Sequence, residues 1–221
     1  MRRISFLACL LFLQVPAGSV SAQQDIAAEG FSSPAAVSDD VARQALPSLQ
    51  RRDPGATLQD AKVSVARRAA RTDAIRSAAE YLHGVQFEFS QGRFTPTITT
   101  QTEGTVSMGS FTFRQLDSGM VVASMRIPLS EAQRAARRGL ETYELTGIAT
   151  ETEGENPLMV MRTARMDAYV KAVQRAVSDS GSGALEPGAT VRGTLYIVET
   201  VGDVPGEPYR LIMRLQVRLD N

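Results

Sequence analysis

The chain of 221 residues holds one histidine, His83, and one cysteine, Cys9. A histidine that activates a nucleophile needs a hydroxyl or thiol beside it and a third group to orient it. His83 stands instead at the end of a helical segment. There its ring can bond the last carbonyls, and its cation is favoured by the helix dipole. No Gly-x-Ser-x-Gly or related nucleophile motif accompanies it. A lone histidine without thiolates leaves only carboxylates for a metal. Glu151, Glu153 and Glu155 cluster, but without the spaced Asp/Asn and Gly pattern of a calcium loop, and read as a solvated acidic loop. Two arginine clusters, Arg67-Arg68-Arg71 and Arg134-Arg137-Arg138, are the candidates for a polyanion site, and both read as solvated helix faces. The glycines form no phosphate-binding fingerprint. No catalytic, cofactor-binding or metal-binding residue is assigned, no cofactor is called for, and the chain is read as not an enzyme.

The charge count agrees with that reading. Lys and Arg together number 24 and so do Asp and Glu, so nothing in bulk favours nucleic acid or an anionic membrane. The chain has no tryptophan, and its few aromatics fall at alternating strand positions and make no stacking platform.

The elements that position these groups begin with a three-part N-terminus. Arg2 and Arg3 precede an apolar run from Ile4 to Val15, and Val20-Ser21-Ala22 places small residues where a signal peptidase reads. Residues 1–22 are therefore read as a signal peptide. The run is shorter than the roughly 20 residues a spanning helix needs. Cys9 lies inside it, too early to be a lipidation site, and leaves with it. The chain is expected in the periplasm or at the outer membrane, with no transmembrane segment after cleavage. Residues 23–56, with Ser32-Ser33-Pro34 and Asp53-Pro54, read as a flexible leader with one helical turn around Asp40 to Leu46.

Residues 57–139 and 140–221 then repeat one order. In the first segment a helix is expected from Leu58 to Leu82, capped by Thr57 with Asp60 and stopped by Gly84. Its apolar stripe is Val63, Ala66, Ala70, Ala74, Ala78 and Leu82, widened by Ile75 and Tyr81. Val85, Phe87 and Phe89 alternate as a strand, and Asp117-Ser118-Gly119 turns a hairpin. Ser130 and Gln133 cap a short helix. In the second segment a strand over Tyr143 to Thr150, a helix from Pro157 to Ser178 and a hairpin around residues 202–207 follow. The helices align without a gap: Arg68, Ala70, Arg71, Asp73, Ala74 and Ala78 match Arg162, Ala164, Arg165, Asp167, Ala168 and Ala172. Thr-Val recurs at Thr105-Val106 and Thr190-Val191, and Met-Arg at Met125-Arg126 and Met213-Arg214. The fold class expected is α+β: two related modules, each a long helix packed on a small antiparallel sheet.

Asp167-Ala168-Tyr169 on an Ala-rich helix, the preceding Gly147-Ile148-Ala149 and the following Val191-Arg192-Gly193 together resemble the FlgP/FlgT-type family of flagellar-assembly and outer-membrane-associated envelope proteins. The resemblance covers residues 58–219. It implies small α/β modules with a structural or assembly role, envelope proteins and flagellar basal-body components as partners, and no catalytic residues. The first helix has Ile75 where the motif has tyrosine. Two strand segments, Val121 to Ile127 and Tyr209 to Val217, are strongly strand-forming and would offer docking templates, including for a homo-oligomer, if they lay at sheet edges. The reading is a non-enzymatic envelope protein with a structural or assembly role; the alternative is a periplasmic binding module for a small ligand or envelope polymer.

Overall fold

The structure, a computed structural model, describes residues 25–97, 110–150, 156–181 and 189–220. The segment read as a signal peptide, the Glu151, Glu153 and Glu155 cluster and the Thr105-Val106 pair lie outside the described residues.

The described part of 23–56 is not a flexible leader. Asp25–Ser32 forms strand β1, Pro34–Ala36 a 3-10 turn and Asp39–Gln50 helix α1. The Ser38 side chain accepts from the Val41 amide at the start of α1, and Asp39 and Asp40 occupy its positive end. Helix α2 (Leu58–His83) follows. Lys62 on it reaches Asp39 at 2.7 Å, and this bond holds the Asp39 carboxyl below its usual pKa.

At the head of α2 the Thr57 hydroxyl accepts from the Asp60 amide while the Asp60 carboxylate accepts from the Thr57 amide. Gly84, at φ 78°, ends the helix in a conformation that disfavours side chains. Then come β2 (Val85–Ser90), β3 (Arg93–Thr97), β4 (Phe111–Gln115), β5 (Val121–Pro128) and α3 (Glu131–Arg137). The chain closes with β6 (Thr142–Ala149), α4 (Pro157–Asp179), β7 (Thr190–Val204) and β8 (Tyr209–Leu219).

These elements make a mixed α+β fold with four helices and two antiparallel sheets, in the orders β1-β5-β4 and β3-β2-β7-β8-β6. The division at residue 139 is not a division between sheets. β2 and β3 come from the first segment but join the second sheet, where Val85 pairs Leu195 and Ser90 pairs Thr190. The physical reason is a free β7 edge beside the end of α2, which alternation along one strand cannot reveal. Val121–Ile127 and Tyr209–Val217 are not edges either. β5 lies between β1 and β4, and β8 between β7 and β6, so both ladders are filled.

Each long helix presses its alanines on a sheet. Ala66, Ala70, Ala74 and Ala78 of α2 are buried, as are Ala164, Ala168, Ala172 and Ala176 of α4. Ile75, expected to widen that face, points away from it and is exposed. The small face permits very close approach. A Cβ on Gly30 of β1 would fall 1.9 Å from the Ala74 nitrogen, and one on Gly147 of β6 would fall 1.8 Å from the Ala164 oxygen. The next residue of each strand donates its amide to an aspartate of the helix, Phe31 to Asp73 at 2.9 Å and Ile148 to Asp167 at 2.8 Å. β1 and β6 are the outer strands of their sheets, so these two bonds satisfy amides that no ladder partner faces. Among the described residues no helix is long and apolar enough to cross a membrane.

Candidate functional site

The sequence-selected groups do not converge. His83 is the last residue of α2 and is exposed. The carbonyls of that turn are taken by Arg137 instead, whose guanidinium donates to the Tyr81 oxygen and, at 3.5 Å, to the Leu82 oxygen. Arg137 is therefore no solvated cluster member: it is buried and lies 4.6 Å from the Tyr196 ring centre. Burial pulls its pKa down while the Tyr196 phenol opposes. Arg67 and Arg71 are exposed but stack over Phe113 and Phe111 of β4, at 5.9 and 4.8 Å. Among the described residues no group of three or more His, Cys, Asp or Glu side chains is placed to hold a metal ion.

What the fold does bring together is a set of buried polar residues where the two sheets meet. Glu29 of β1 is 3% exposed. Its carboxylate accepts from the Thr200 amide at 2.9 Å, from Arg114 at 3.0 Å and from the Tyr81 hydroxyl at 3.4 Å. Arg114 also donates to the Thr200 and Val201 oxygens. Thr200 borders a register shift between β7 and β8, so its backbone groups are available to the other sheet. A second buried acid, Asp203, accepts from Tyr209 at 2.9 Å and from the Ser118 hydroxyl and amide. Burial, and then Asp203 itself, push the Tyr209 phenol up. These groups are spent on holding one sheet to the other.

From this junction a cleft of about 430 Å³ opens between α2 and α4. Asp73, Arg76 and Glu80 line it from α2, and Arg162, Arg165 and Tyr169 from α4. Val85, Pro96, Met161 and Met166 supply its apolar surface. Arg165 is the deepest cation. It stands 5.6 Å from the Phe31 ring centre and 5.9 Å from that of Tyr169, and donates to the Tyr81 hydroxyl at 3.3 Å. Burial works against its charge, but Tyr169, Tyr81, Glu80 and Glu29 outweigh it and hold the guanidinium protonated. The Tyr169 phenol is pushed up to about 12, first by burial, with Arg165 opposing and Glu80 adding. Arg165 lies beside that hydroxyl, yet neither the hydroxyl nor the Arg165 Nε makes a well-formed hydrogen bond within the described residues. A neutral phenol and a charged guanidinium with spare donors can hold an anion; they offer no nucleophile and no base near neutral pH.

Sequence reasoning missed Glu29 and this cleft. The one signal available was Tyr169 itself, which follows the matched Asp167-Ala168 pair where the first helix has Ile75. No protein-family model, no curated protein and no solved structure matches this chain.

Proposed function

We propose that this chain is an exported, non-enzymatic protein of a bacterial-type envelope with a structural or assembly role, built from two related modules. Export rests on the N-terminal residues read as a signal peptide; the observation that carries the modular, structural part of the reading is one arrangement found twice. β1, α2, β4 and β5 correspond to β6, α4, β7 and β8, with strand orders β1-β5-β4 and β6-β8-β7. The registers agree: Ala28 faces Met125 and Gly30 faces Ala123, as Leu145 faces Met213 and Gly147 faces Leu211. The Gly-to-helix contact and the aspartate bond to the next amide recur with the residues that the helix alignment pairs, Asp73 with Asp167 and Ala74 with Ala168.

This geometry also gives physical content to the resemblance to FlgP/FlgT-type proteins. Gly147-Ile148 and Asp167-Ala168, apart in sequence, form one packing contact. The motif thus marks how a helix seats on a strand, which suits a family of assembly modules. A periplasmic or outer-membrane address and basal-body partners belong to the same proposal. Fractionation of cells expressing the tagged chain tests it. The expected result is a product shortened at the N-terminus, in the periplasmic or outer-membrane fraction, in a complex larger than the monomer. A full-length cytoplasmic product, or a monomer at envelope concentrations, overturns it, and a deletion strain with normal motility removes the flagellar part. The cleft between α2 and α4 favours a second reading, a binding module for a small ligand.

A further inference from the structure

We infer that the cleft between α2 and α4 binds a small amphipathic carboxylate, its head between Tyr169 and the arginines of α4 and its apolar part against Met166 and Met161. The inference rests on the binding-module reading and is independent of the assembly role.

Three features carry it. The first is a donor without a recipient: the Tyr169 hydroxyl is buried and lines the cleft with Arg165 beside it, yet within the described residues its O–H meets no acceptor in hydrogen-bond geometry. A buried phenol left so is costly, and an acceptor entering the cleft removes that cost. The second is charge. Arg76, Arg162 and Arg165 face Asp73 and Glu80 around the cleft, and Asp73 already accepts the Phe31 amide. Glu29, whose charge also reaches Arg165, is already paired with Arg114 at 3.0 Å, so the three guanidiniums against the two lining carboxylates leave one positive charge, which a monoanion balances and a dianionic phosphate exceeds. The planar guanidinium fork also matches a carboxylate. The third is the composition of the walls. Val85, Pro96, Met161 and Met166 line the same cleft as Tyr169, and Met166 is 36% exposed, so a ligand with an apolar body covers open methionine surface while its head stays at Tyr169. The thioether adapts to varied apolar shapes, so the class is defined by the head group and general apolarity.

Octanoate is a suitable probe. It is titrated into the purified full chain carrying 13C-methyl methionine, with octanol and octylammonium in parallel. The Met161 and Met166 methyl signals are expected to shift saturably with octanoate, with Kd of roughly 1 mM for so small a ligand. The neutral alcohol should bind at least tenfold more weakly, and the ammonium should leave both signals in place. Tyr169→Phe removes a hydroxyl whose proton has no acceptor within the described residues, so the thermal melt should hold while octanoate affinity falls roughly tenfold. Arg162→Gln, on an exposed side chain, should weaken octanoate roughly two- to fivefold and keeps the test available should the first variant fail to fold. The inference is overturned if octanoate gives no saturable shift, if octanol matches it, or if both folded variants bind as the parent does. None of these outcomes touches the fractionation result on which the assembly reading depends.

Discussion

Replacing Gly147 by alanine puts a methyl group where the backbone of α4 already stands. The new Cβ would lie 1.8 Å from the Ala164 oxygen, 2.7 Å from the Ala164 carbonyl carbon and 3.0 Å from the Ala168 Cβ. Non-bonded heavy atoms settle at about 3.5 Å. The obstacle is main chain, so no side chain can swing aside; α4 must withdraw by more than an ångström or β6 must leave β8. Overpacking of this kind costs about 1–3 kcal/mol. Withdrawal also stretches the 2.8 Å bond from the Ile148 amide to Asp167, and such charge-assisted bonds contribute roughly 1.5–3 kcal/mol. A loss of about 3–5 kcal/mol follows, and with a urea m-value of about 2 kcal/mol/M the midpoint drops by roughly 1.5–2.5 M. Gly202→Ala is the control. It meets nothing within 4 Å, and should shift stability by no more than about 0.5 kcal/mol. Gly30→Ala should resemble Gly147→Ala, because its Cβ would fall 1.9 Å from the Ala74 nitrogen and 2.3 Å from the Ala70 oxygen. Equal urea midpoints for Gly147→Ala and Gly202→Ala would refute the close approach of helix and strand from which the modules are argued.

Other outcomes follow from the same contacts. Glu29→Ala leaves the buried Thr200 amide without its acceptor and takes one of three from Arg114, which keeps the Thr200 and Val201 oxygens, and should destabilise by about 2–3 kcal/mol in equilibrium unfolding. Asp73→Asn and Asp167→Asn should each cost about 1–2 kcal/mol, with faster hydrogen exchange at the Phe31 and Ile148 amides respectively and not at the other. The Tyr169 phenol has a folded pKa of about 12 against an unfolded value of about 10. The folded state therefore keeps its proton while the unfolded state loses it. That contribution is fully present below about pH 10 and is lost as pH rises through about 12, a fall of about 2–3 kcal/mol that Tyr169→Phe should lessen in chemical unfolding at pH 10 to 12. Arg137→Ala removes the donor to the Tyr81 and Leu82 oxygens and the contact with Tyr196. It should lower stability by about 2 kcal/mol, whereas His83→Ala should change it by less than about 0.5 kcal/mol.

Local signals in the sequence reached the local structure. The Thr57–Asp60 and Ser130–Gln133 caps, the stop at Gly84 and the alanine stripes are written in consecutive residues, and each appears in the fold. β1 escaped because its packing relies on Ala28 and Gly30, residues with low strand preference that serve here by being small. The placement of β2 beside β7 depends on partners more than a hundred residues away, and no periodicity within Val85–Ser90 encodes it. The junction failed to show for a related reason. Glu29 and Arg137 look like ordinary surface charges until β7 closes over one and the end of α2 meets the other. The same holds for the cleft, whose walls come from two helices matched in the alignment but joined only by the fold.

The bonds from Asp73 to Phe31 and from Asp167 to Ile148 set the direction in which these sheets can be lengthened. Each occupies an outward amide of an outer strand, β1 in one sheet and β6 in the other, with the helix packed against that strand, which discourages an incoming backbone there. Growth is left to the opposite side, at β4 and β7. Among the described residues the second sheet has grown on that side: β2 adds to β7, and β3 to β2, while β6 is terminal. The two modules proposed for this chain could therefore sit side by side without their strands fusing into one continuous sheet, because each helix brings its own stop.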